Sequence, residues 1–195
     1  MSDEIEPVAI SRRLVVAWPL VLTRPARFFR TEVRHGDQAP GLIFAAGVVF
    51  LAVTIRLLLD PGSIPSIGQS PLIAAVLVIG LLVVLVTPVV LHLVAALLTI
   101  GLMVAAPNRG GISESVQLIG YATAPCVLVG FDIALLTTVA TGYGTLLLII
   151  GIAEIHRISW RRATVLGIIP ALIVFGYGFG GVDAFMTLLR AWYII

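Results

Sequence analysis

Five ionisable residues fall within the apolar runs of this chain: Arg56, His92, Asp132, Glu154 and His156. A titratable side chain at membrane depth is costly and is a functional candidate by default. Two histidines and a carboxylate suit zinc, which makes His92, His156 and Glu154 the candidate metal ligands. Their spacing argues otherwise. Glu154 and His156 are two residues apart, about 200° around a helix, and face opposite ways. A metalloprotease helix instead sets two histidines four apart around its glutamate, and haem ligation needs two facing histidines. The expectation is no catalytic residue, no metal and no cofactor, with Glu154 paired to Arg157 one turn on and His156 helping to fix a hairpin. Arg56 and Asp132 belong to the opposite side of the membrane, on the order of 15 Å away. They form either an interhelical ion pair or relay, or separate contacts, Arg56 with Asp60 and Asp132 within the bundle.

Motifs for soluble catalysis are missing. No GxSxG elbow or GxxxxGK[ST] phosphate loop occurs. The glycines of FGYGFGG (175–181) follow no strand, but Gly176 and Gly180 have the GxxxG spacing that lets helices approach closely. An inverted repeat of the transporter kind is not visible.

The elements that must position these residues are membrane helices. The chain has 195 residues, is 59% hydrophobic and only 11% charged, with a mean hydropathy of +1.13. A soluble domain averages roughly 45–50% apolar and about 25% charged. A net charge of +2 without a basic stripe speaks against nucleic acid. All basic residues are arginine, which suits interfacial anchoring. The lone Cys126 reads as a small buried apolar residue. The acidic opening MSDEIEP does not resemble a signal peptide, so the first membrane helix is expected to serve as the targeting signal.

The expected fold is all-α: a five-helix transmembrane bundle with an N-terminal interfacial amphipathic segment. It divides into a cytoplasmic region (1–39), a membrane domain (40–181) and an interfacial tail (182–195). The spans fall at about 41–59, 72–105, 116–139, 142–157 and 162–180. The second would reach about 51 Å as one straight helix, so it either tilts and protrudes or bends near Thr87-Pro88; one bent helix is the expectation, because no polar turn divides the run. ATGYG (140–144) reads as a tight turn. Ser113 or Ser115 is placed to cap the third helix, and Ser159 the fifth. Trp192 and Tyr193 read as interfacial anchors.

In the first region Arg12, Arg13, Trp18, Arg24, Arg27, Phe28, Phe29 and Arg30 alternate basic with aromatic character. That pattern suits a segment lying among lipid headgroups, or a loop packed on the membrane domain. Arginine sidedness sets orientation. With the N-terminus inside, Arg12, Arg13, Arg24, Arg27, Arg30, Arg34, Arg109, Arg157, Arg161 and Arg162 are all inner, against Arg56 and Arg190 outside. The C-terminus is then outside.

GYATAPCVL (120–128) and GIAEIHRISWRRA (151–163) resemble segments of the Yip1 family of membrane proteins. In that family a Gly-Tyr segment followed by a Pro starts the third helix. A stretch with Gly, His and Ala joins the last two helices, and a Pro follows. Those positions match Gly120, Tyr121, Pro125, Gly151, His156, Ala163 and Pro170. LTRPARFF (22–29) is similar to the pre-helix of prokaryotic members. The resemblance implies a multi-pass, non-enzymatic protein of a prokaryotic cell membrane, organising membrane or serving as a partner in a membrane complex. Its eukaryotic relatives act in early secretory traffic and contact Rab-type GTPases through a cytosolic N-terminus, much reduced here. The expected partners are membrane lipids and a second copy or another membrane protein, with no nucleic acid. The alternative is a small transporter or channel built around the proline-broken helices.

Overall fold

The computed structural model describes residues 16–66, 70–106 and 110–193. Arg12, Arg13 and Arg109 lie outside the described residues. The described chain is all-helical, without strands, and holds four helices long and apolar enough to cross a membrane, or five when a bent pair counts as one. The helices are α1 (16–23), α2 (Pro25–Thr31), α3 (Ala39–Leu59), α4 (Pro71–Ala105), α5 (Ile112–Ala122), α6 (Ala134–His156), α7 (Trp160–Gly178) and α8 (Gly181–Ala191). A 3-10 segment, Ala124–Phe131, continues α5 after a bend of 41°.

α4 is one continuous helix of 35 residues, as the unbroken apolar run implies. Pro88 has no N–H and its ring crowds the carbonyl one turn back, a conflict that kinks or widens a helix. Here residues Leu81–Val86 widen into a π-helix just before it. The Thr87 N–H reaches the Leu82 carbonyl, and the Thr87 hydroxyl donates to that same oxygen at 2.7 Å. α7 shows a similar feature, with a π segment at Leu172–Gly178 two residues beyond Pro170.

The third crossing ends earlier than its composition suggests. Asp132 adopts a left-handed conformation (φ 53°) and Ile133 is extended, so the turn lies at 132–133. Residues 140–144 are inside α6, not in a turn. The Thr141 hydroxyl bonds back to the Thr137 carbonyl at 2.7 Å, and Gly144 gives its space to Phe175 and the Ala122 carbonyl. Glycine here serves close packing rather than chain reversal. The fourth span is therefore 23 residues long. α5 starts after Gly111 with no side-chain cap; the Ser115 hydroxyl instead lies 3.2 Å from that of Thr99 on α4. Ser159 does occupy the cap position of α7, without a side-chain capping bond.

α3 and the third crossing run parallel. A Cβ on Gly120 would collide with the Gly41 carbonyl, one on Gly130 would strike the Ala52 carbonyl, and Arg56 meets Asp132. Contacts that ascend together in both segments require both to start at the same end. α6 descends beside them, with Gly151 against Leu118 and Phe29, and α7 rises again, with Gly167 near Ile149 and Ile152. The bundle thus has two ends. The first holds the starts of α3, α5 and α7, and the second holds Arg56, Asp60 and Asp132. Leu72, Val76, Val84, Leu93, Ile100 and Val104 on α4 face outward, as expected where the solvent is lipid.

Cysteines introduced at Asp37 and at Ser66 should react with a membrane-impermeant maleimide from opposite sides of sealed vesicles. Cys126 is fully buried, so the parent chain supplies an unlabelled background. Labelling of both positions from one side would contradict the crossing of α3.

Candidate functional site

At the first end the N-terminal segment is fastened to the bundle. Gln117 on α5 clamps the Arg34 backbone, its Oε1 accepting from the Arg34 N–H at 3.1 Å and its Nε2 donating to the Arg34 carbonyl at 2.6 Å. The buried Glu114 carboxylate lies 2.6 Å from His35 Nδ1. Arg30 donates from Nε and Nη2 to one oxygen of Glu154, at 3.1 and 2.8 Å. Deeper in, the Trp18 indole N–H donates to the Ala124 carbonyl at 3.0 Å, and the Tyr143 hydroxyl donates to the Leu22 carbonyl. Phe28 and Phe29 are buried, with Phe28 edge-on to Tyr121 at 4.8 Å. The aromatic face of this segment therefore packs on protein. Its exposed arginines, Arg24, Arg27 and Arg30, face out.

The proposed metal ligands are not brought together. His92 Nδ1–H donates to the Pro88 carbonyl at 2.7 Å within α4. His156 is buried and its Nδ1 accepts from the Gly110 N–H at 3.1 Å. Glu154 pairs with Arg30 and not with Arg157, because Arg157 turns into the left-handed region (φ 52°) to end α6. Among the described residues no three metal-binding side chains cluster. Gly176 and Gly180 do not share a helix face either: α7 stops at Gly178, and Gly180 sits in a turn at φ 71°. The remaining motif positions are packing positions. Ala163, Pro125 and Pro170 are buried, and Tyr121 joins the aromatic cluster.

At the second end the irregular segments converge. A cavity of about 390 Å³ is lined by α3 from Ala45 to Arg56, by Leu82, Val86 and Leu91 of α4, by Val129 and Gly130, and by Val174 to Gly180. Both π segments and the 3-10 segment thus contribute to one wall system. Non-α backbone at membrane depth is tolerated where it lines a cavity or packs in protein, and π-bulges recur at functional sites. The lining threonine hydroxyls are already engaged, Thr87 with Leu82 and Thr123 with Gly120, each at 2.7 Å. The interior therefore offers apolar surface. At its rim Arg56 and Asp132 form a two-pronged ion pair, Nη1 to Oδ1 at 2.9 Å and Nη2 to Oδ2 at 3.2 Å. Interhelical pairing, rather than contact with Asp60, is the outcome here.

Sequence reasoning missed Glu114, Gln117 and Gly41. The signal was present in SESVQ (113–117): polar residues three apart share one helix face, at the start of an otherwise apolar crossing. The family model of the Yip1 domain matches residues 20–182. No curated protein and no solved structure gives a match.

Gln117→Leu should strip both clamp bonds and leave the Arg34 backbone unpartnered, at a cost of about 1–3 kcal/mol. Trypsin should then cut faster after Arg27, Arg30 and Arg34 in mild detergent, and unchanged cleavage would contradict the clamp. Gly120→Leu should lower the thermal midpoint further, since the new side chain meets the Gly41 backbone rather than a flexible group.

Proposed function

The chain belongs to the Yip1 domain family, and from that membership we propose a non-enzymatic protein that organises the membrane around it. Its first end faces the cytoplasm and holds anionic lipid in the inner leaflet.

 The observation that carries this reading is the charge at that end. Among the described residues Arg24, Arg27, Arg30, Arg34, Arg157, Arg161 and Arg162 gather there against Glu32, Asp37, Glu114 and Glu154. Two of those four carboxylates are engaged by His35 and Arg30. Arginine near an anionic surface gains about 1 kcal/mol each, and cytoplasmic faces collect positive residues. The buried aromatic face of α1 and α2 holds the arginines of that segment at a fixed height, so the contact is preset rather than formed by folding on the membrane.

The outward apolar face of α4 is available to lipid, to a second copy or to another membrane protein, which fits a role as a partner in a membrane complex. A prokaryotic cell membrane, with the N-terminus inside and the C-terminus outside, is the setting that suits the arginine placement. The small-transporter alternative draws less support from the geometry. The cavity lining begins at Ala45, next to Phe44, whose ring lies 5.1 Å from that of Tyr121 and 5.0 Å from that of Trp18. A route across the membrane would have to pass that aromatic layer.

The test is lipid enrichment around the full chain in vesicles mixing phosphatidylglycerol with phosphatidylcholine, read by energy transfer to a labelled anionic lipid. Replacing Arg24, Arg27, Arg161 and Arg162 together by Gln should reduce the preference for the anionic lipid by at least about tenfold at low salt. An unchanged preference would overturn the proposal.

A further inference from the structure

The cavity at the second end has the length of one leaflet. From Ala45 to Arg56 the α3 wall runs eleven residues, about 16 Å, against about 15 Å for half of the hydrocarbon core. Its inner limit on α3 is Ala45, next to Phe44 of the aromatic cluster, and its rim carries charge. A volume of about 390 Å³ lies within the range of about 300–1,000 Å³ for small-molecule sites. The interior is apolar, because its threonine hydroxyls are spent on neighbouring carbonyls. A slot of this length, apolar along its walls and polar only at the membrane boundary, matches one lipid chain with its headgroup.

The rim selects the headgroup. Arg56 and Asp132 are 45% and 57% exposed, so both charges are open to a ligand. Their mutual bonds use two of the five guanidinium N–H groups and leave the others directed elsewhere. A phosphate can take the spare donors without breaking the pair, and the carboxylate retains acceptor capacity for an ammonium group. A purely anionic headgroup would meet Asp132 with like charge. We infer that the cavity holds one acyl chain of a zwitterionic phospholipid, its phosphate on Arg56 and its ammonium on Asp132. The inference goes beyond the role proposed for the first end; it rests on the membrane crossing alone and does not need the inner arginines.

Native mass spectrometry of the full chain in mild detergent, titrated with phosphatidylethanolamine or phosphatidylglycerol, tests it. One equivalent of phosphatidylethanolamine should bind about tenfold more tightly than phosphatidylglycerol. Val53→Trp, which fills the cavity, should weaken that binding about tenfold, and so should Arg56→Gln combined with Asp132→Asn. Arg24→Gln with Arg27→Gln, at the other end, should leave it unchanged. Should Val53→Trp fail to fold, Val86→Trp at the half-open edge gives the same readout. Equal binding of the two lipids would overturn the headgroup assignment. Binding indifferent to both the filled cavity and the neutralised rim would overturn the site, as would a polypeptide recovered in place of lipid.

Discussion

In hydrocarbon every backbone N–H and C=O must find a partner inside the protein, and the architecture follows from how this chain meets that demand around its prolines. Pro88 and Pro170 each remove a donor from a membrane helix. Near each of them the helix widens into a π segment, and at Leu82 a threonine hydroxyl adds a second bond to the carbonyl involved. Pro125 sits at the start of the 3-10 segment, where Thr123 bonds the Gly120 carbonyl. These three irregular stretches face a common space instead of lying on separate lipid-exposed faces. The cavity is the geometric consequence of that convergence.

A second constraint fixes the frame in which they meet. α3 and the third crossing approach with backbone against backbone at Gly41 and Gly120, a distance only glycine permits. That contact sets their register, and the register places Arg56, fifteen residues further along α3, beside Asp132. It also sets Gln117 beside the loop before α3, where it can clamp Arg34. One close crossing therefore positions the ion pair at one end and the fastening of the N-terminal segment at the other.

Much of the fold was legible because lipid imposes a simple code. The apolar run of 72–105 reads as one helix since nothing polar divides it, and Pro88 marks the place where its backbone departs from the α form because its missing N–H is a local fact. The turn between the third and fourth crossings was not legible in the same way. Gly142 and Gly144 carry a turn signature, yet Gly144 is needed for a neighbouring ring, while the real reversal uses Asp132 in a left-handed conformation. Trp18, Phe28 and Phe29 have a composition that suits lipid and protein equally. Only the groove between α3, α5 and α6 decides that they face inward. The choice of Arg56 between Asp60 and Asp132 likewise depends on the register of two parallel helices, which no local spacing encodes. Glu114 and Gln117 escaped notice because serines beside them drew the reading toward helix capping.

The most direct measurement is a structure of the full chain in a lipid bilayer, with an antibody fragment as fiducial. The account requires widened backbone at Leu81–Val86 and Leu172–Gly178, with chain-shaped density between them rising to Arg56 and Asp132. Regular α-helix through both stretches, with side chains closing the space between α3 and α4, would contradict it.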